Sequence, residues 1–258
     1  MSAPLIPLFW LTALLYAAVG FGGGSTYNAL LVLSGADYRL LPTIALACNI
    51  IVVSGGVWRF SRAGLLPARR LLPFLITSIP AAWIGGRVAV SELVFVGLLG
   101  LTLVLSGLRL LTLPSRAPVE NADLAPPVTP TALALLIGAA IGFLAGLVGI
   151  GGGIFLAPIL YLLAWGTAQQ IAAACSLFIL TNSLAGLVGQ MSKLNDLALL
   201  SDALAYWPLW IAVLIGGQIG SWLAAGQLQA LWMRRLTALL ILYVALRLLW
   251  RFGALVQI

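Results

Sequence analysis

The chain has 258 residues, of which 62% are hydrophobic and 7% charged, with a mean hydropathy of +1.14. Soluble domains carry about 25% charged residues, so a soluble enzyme or a nucleic-acid module is excluded and an all-α polytopic membrane protein is expected. The 13 basic and 6 acidic residues leave a charge of +7, which in such a chain reads as arginine meeting lipid headgroups and setting topology, not as nucleic-acid binding.

In chain order, residues 1–20 lack a basic n-region, so the first segment is expected to be retained and not cleaved. Apolar runs predict segments over 4–20, 24–34, 42–58, 65–86 and 93–111. The stretch 114–130, with five prolines and both signs of charge, is a linker. Further segments are predicted over 131–148, 154–165, 168–190, 204–225 and 230–250. The chain thus divides into a first transmembrane repeat (1–113), the linker, and a second repeat (131–258).

The two halves match in order. Gly20-Phe21-Gly22-Gly23-Gly24 pairs with Gly149-Ile150-Gly151-Gly152-Gly153, and Ile44 to Asn49 with Ile171 to Ser176. Pro73 and Ile84-Gly85 pair with Pro208 and Ile219-Gly220, and Leu108-Arg109-Leu110-Leu111 with Leu246-Arg247-Leu248-Leu249. Such recurrence signals internal duplication. As one helix, residues 4–34 would rise roughly 45 Å against a hydrocarbon core of about 30 Å. A glycine-broken helical hairpin fits better. One hairpin plus three spanning helices per half makes the repeats inverted; a single broken span would make them parallel. Arg59, Arg62, Arg69 and Arg70 place the loop between them in the cytoplasm.

Glycine runs let the backbone leave the helix. At membrane depth such backbone is tolerated only when buried in protein or lining a cavity. The segments that follow would present free N–H groups at a positive dipole end, a backbone anion site. Gly22, Gly23, Gly24, Gly151, Gly152 and Gly153 are therefore candidate substrate-binding residues, the alternative being close helix packing. Ser25, Thr26 and Asn28 add polar groups to the first half, where the second has Ile154, Phe155 and Ala157. Ser25 alternatively caps the half-helix.

Cys48, Asn49, Cys175, Ser176 and Asn182 are further candidates, being polar or thiol groups within apolar spans that need partners there. Thr181 is a polar group of the same kind, and Gln218 and Gln190 join them at lower weight. The cysteines alternatively pack as small hydrophobes. All six acids lie in loops or at segment ends, which disfavours a cation pump. No His is present, and neither a metal site nor a cofactor is indicated. Trp58, Trp165, Trp207, Trp232 and Trp250 read as an interfacial belt. Trp83 and Trp222 lie near the Gly85 and Gly220 packing sites, where a cavity wall is the alternative to packing.

The doubled Gly-x-Gly-Gly-Gly, with Pro158 five residues after the second run, resembles the TauE/SafE sulfite exporter family, also called the 4-toluene sulfonate uptake permease family. The resemblance covers nearly the whole chain apart from the linker. It implies a multi-pass permease of a bacterial-type inner membrane for a small sulfur-containing anion of the sulfite or organosulfonate class, with both glycine clusters in the pathway. The chain departs from it where Ala29 stands opposite Pro158.

The expected function is an anion permease working by alternating access between the halves, with membrane lipids as surroundings. A passive anion channel and a non-transporting scaffold are the alternatives, and an enzyme is not expected. A homo-oligomer is left open by the sequence.

Overall fold

Leu, Ala, Ile and Val dominate the apolar runs without the alternation of strands, and these runs wind into helices. The structure, a computed structural model, describes residues 4–112, 129–193 and 203–225, with 239, 242–246, 249, 250 and 252 beyond them. In chain order the helices are α1 (Leu5–Ala17), α2 (Gly24–Leu33), α3 (Leu41–Arg62), α4 (Ala68–Arg87), α5 (Glu92–Thr112), α6 (Thr131–Val148), α7 (Gly153–Leu162), α8 (Ala168–Met191) and α9 (Trp207–Ala225). No strand occurs among the described residues. The linker up to residue 128, most of the segment predicted over 230–250, Trp232 and the Arg109 and Arg247 side chains lie outside the described residues.

The helix ends follow local chemistry. α3 runs four residues past its predicted end, because Arg59 and Arg62 favour the negative end of the helix dipole. α4 starts at Ala68, three residues late, because Pro67 precedes it. α8 carries a capping box, Thr167 accepting from the Gln170 amide and Gln170 answering on the Thr167 amide.

α3, α6 and α8 are long and apolar enough to cross a membrane, and α1, α7, Glu92–Leu105 and Trp207–Leu223 are shorter apolar stretches. Large apolar side chains are also exposed outside, among them Leu72, Ile76 and Ile79 on α4 and Ile211, Leu214, Ile215 and Trp222 on α9. A bilayer, not water, suits such a surface. Trp83 and Trp222 are 39% and 69% exposed, and the Arg87 guanidinium lies 4.7 Å over the Trp83 ring. Trp58, Trp207 and Trp250 are likewise exposed, whereas Trp165 is 1% exposed and leaves the interfacial belt. Its ring is covered by the Arg70 guanidinium at 4.4 Å, which also donates to the Trp165 carbonyl at 2.5 Å.

Small residues set the packing. α4 lies along α6, with the Phe74, Ser78 and Ala82 carbonyls over Gly138, Gly142 and Gly146 and the Phe143 carbonyl over Gly85. α9 lies along α1 in the same manner, Gly216 over the Trp10 carbonyl and Gly220 over that of Leu14. α3 and α8 cross at the centre and run antiparallel, since Gly56 lies beside Ser176 and Leu46 beside Gly186. The first turn of α4 meets the turn before α8 through Arg70 and Trp165, defining one end of the bundle. At the other end Lys193 donates to the Val88 carbonyl at 3.0 Å, joining the ends of α8 and α4.

Candidate functional site

The two glycine runs interrupt the helices where φ turns positive. Gly23 at φ +91° is the N-cap of α2, and Gly152 at φ +83° the N-cap of α7. These values sit in the left-handed region that side chains with a Cβ rarely adopt. Ser25 is the second residue of α2, so Gly23 and not Ser25 occupies the capping position, with no side-chain cap bond. The chain then turns back. Phe9 of α1 stacks on Tyr27 of α2 with centroids 4.7 Å apart; along one straight helix they would be roughly 27 Å apart. Tyr16 and Thr26 hydroxyls close the same hairpin at 2.6 Å. The Gly152 turn likewise lies against Ile141 and Ala145 of α6.

The two breaks meet at Asn49. Its amide lies against Gly22 and Gly24 of the first break and against Gly151 of the second. The reason lies in the end of α6. The last carbonyls of a helix lack intrahelical partners, and within a membrane they must find others. Here three side-chain amides serve five consecutive carbonyls. Gln190 Nε2 donates to Gly146 at 2.7 Å and Leu147 at 3.4 Å. Asn28 Nδ2 donates to Val148 at 2.7 Å and Gly149 at 3.2 Å, and Asn49 Nδ2 to Ile150 at 3.0 Å. In the other direction, Ser176 Oγ donates to the Gly20 carbonyl at 3.0 Å.

These donors are thereby engaged. Asn28 Oδ1, Asn49 Oδ1 and Ser183 Oγ remain buried without a partner among the described residues. Ser183 faces Gly151. The donors left to a ligand are backbone amides in the first turns of α2 and α7, because the first ladder bonds are made by Tyr27 N–H to Gly23 and by Phe155 and Leu156 N–H to Gly152. The side chains nearest the break glycines are uncharged. The junction offers N–H donors at two helix starts and unpaired acceptors beside them.

Of the predicted residues, both glycine runs, Asn28, Asn49 and Ser176 come together. Thr26 holds Tyr16, and Ser25 is buried beside it in sequence. Cys48 and Cys175 are free and wholly buried in the apolar core; the Cys175 carbonyl, not its thiol, lies against Gly153. Asn182 Nδ2 turns back to its own helix at Phe178, 2.8 Å away, with Oδ1 unpaired. Gln218 stands apart between α3 and α9, its Oε1 accepting from Arg59 Nη2 at 3.1 Å, while Arg59 also donates to the Ser221 hydroxyl. Ser183 and the role of Gln190 were missed. Their signal was a seven-residue spacing: Ser176, Ser183 and Gln190 share one face of α8.

The family described as "Sulfite exporter TauE/SafE" matches residues 5–248. The chain belongs to the TauE/SafE family. It is also 38% identical over 246 residues to the "Probable membrane transporter protein y4hK" of Sinorhizobium fredii (strain NBRC 101917 / NGR234), covering 94% of this chain and 96% of that protein. No solved structure matches. This TauE/SafE member is a multi-pass membrane transporter, and both glycine breaks lie inside the matched span.

Proposed function

We propose that this TauE/SafE protein carries a small sulfur-containing anion, of the sulfite or organosulfonate class, across a bacterial-type inner membrane. The observation behind this is the junction at Asn49, where two half-helices begin inside the bundle with first-turn amide N–H groups that find no partner among the described residues. Such helix starts attract anions through aligned peptide dipoles. The two carboxylates among the described residues lie elsewhere: Asp37 pairs with Arg39 in the turn after α2, and Glu92 opens α5.

The halves 1–113 and 131–258 are read as inverted repeats related across the α3–α8 crossing, and alternating access as their rocking about it. The paired packing of α4 on α6 and of α9 on α1, and the antiparallel crossing of α3 and α8, support this reading. Cysteines placed at Ala36 and Gly166 test it. Inversion requires an impermeant thiol reagent to label them from opposite sides of sealed vesicles; labelling from one side sinks it.

Labelled sulfite entry into proteoliposomes tests the function, with thiosulfate, sulfate and a small sulfonate as competitors. Saturable, competed entry with trans-stimulation is expected of a carrier. Entry without trans-stimulation indicates a channel, and failure of the whole anion panel removes the reading.

A further inference from the structure

A cavity of about 220 Å³ opens at the end of the bundle opposite the arginine-rich turn. Its polar lining is Tyr38, Arg39, Gln190 and Lys193, and Phe95 and Leu147 stand among its apolar wall residues. Its volume is several times the roughly 30 Å³ that a water molecule occupies in the liquid.

Three observations mark it as more than a surface dent. First, its charge is positive. Arg39 is balanced by Asp37, with Nη2 2.8 Å from the carboxylate. Lys193 has no carboxylate partner among the described residues, and its ammonium is held by the Val88 carbonyl. Second, its floor is the capped end of α6: Gln190 and Leu147 line the cavity and also form the cap. Third, Pro42 lines it while lying against Gly149 of the second break.

We infer that this cavity is the loading site where the transported anion first binds, with Lys193 as its docking cation and the apolar wall receiving a hydrocarbon flank. The inference rests on the anion-transport reading. A lysine on a flexible stem suits this task, because it offers three donors without imposing one geometry. The neighbouring α6 end is the route onward, since the same Gln190 that faces the cavity holds the backbone leading into the break.

The sequence supplies a direct probe, because Lys193 is the only lysine in the chain. Reductive methylation with ¹³C-formaldehyde keeps the charge and labels Lys193 and the N-terminal amine alone. In the purified full chain, the dimethyl-Lys193 signal is expected to shift saturably with butanesulfonate, with a weaker response to sulfite and none to chloride. An unmoved signal, or an equal shift with chloride, overturns the loading site. In proteoliposomes, Lys193→Met is expected to raise KM roughly tenfold with the maximal rate within twofold, and Lys193→Arg to restore most of the affinity. Arg69→Gln, at the other end, is the control and leaves KM in place. Unchanged KM in Lys193→Met overturns the inference even if transport is robust. A saturable shift in a wild-type protein that moves no anion overturns the transport reading instead and retains the binding site.

Discussion

The first and second glycine breaks follow similar backbone paths, Gly151 taking positive φ where Gly22 does not, and differ in most of the side chains around them. Gly20 and Gly23 take positive φ, as do Gly149 and Gly152, and each pair is followed by a ten-residue helix. Beyond that the first break is hydroxyl- and amide-rich, with Tyr16, Thr26 and Asn28, and the second is walled by Ile154, Leu156 and Ala157. The polar groups of the first half do not serve their own break alone. Asn28 and Asn49 reach across to hold the carbonyls that close α6, and Ser176 returns a bond to Gly20. Two similar glycine breaks thus give two helix starts, while their different side chains make one junction between them.

The largest expected effect comes from breaking both helix starts in the same way. Gly23→Leu and Gly152→Leu force a Cβ into a left-handed conformation and against Tyr27 and Phe178 respectively. Each should abolish substrate uptake in proteoliposomes. Similar losses support equivalence of the two breaks, whereas a silent Gly152 variant would leave the first break as the sole site.

Asn49→Ala comes next. It strips the Ile150 carbonyl of its cap, at about 1–3 kcal/mol, and should lower the melting temperature in detergent as well as uptake. Asn28→Ala should cost a comparable amount at Val148. Its counterpart Ala157→Asn sharpens the comparison, because it brings an amide to a wholly apolar position; a loss of stability there, with no gain in uptake, is the expected result.

Tyr16→Phe is smaller, since it removes one hydroxyl contact to Thr26 worth about 0.5–1.5 kcal/mol. A melting temperature equal to wild type would show that this contact does not help hold the first hairpin.

The smallest effect concerns Asp37, whose carboxyl the Arg39 hydrogen bonds hold below the ordinary aspartate value. Its stabilisation is present above that ordinary value and fades as pH falls through the lowered one. The pair is exposed, so Asp37→Asn should shift the neutral-pH melting temperature by no more than about 2 °C. An acid melt that the variant leaves much altered would contradict this ranking.

The junction was legible in part because backbone irregularity has a compositional signature. Five residues of Gly-x-Gly-Gly-Gly inside an apolar run leave few alternatives to a break, and Asn49 was marked by being polar within a span. Gln218 was marked by the same logic, yet it lies against Arg59, because polarity says that a partner is needed and not which one. Cys48 and Cys175 were suggested by matched positions, but equivalent positions in a core are equally well filled by small apolar groups. Ser183 went unnoticed beside Asn182, although the face it occupies on α8 was open to counting.

By itself the sequence determined the all-helical membrane character, the positions of the described helices to within a few residues and the sites of the two breaks. Those depend on local chemistry: apolar content, proline, arginine at helix ends and glycine φ. Only the tertiary structure decided that both breaks meet at Asn49 and that three amides close α6. It also decided that Lys193 lines a cavity beside them. Those arrangements join side-chain donors to backbone acceptors far along the chain, from 44 positions for Gln190 and Gly146 to 120 for Asn28 and Val148, and the chain order carries no record of which carbonyl a given amide will reach.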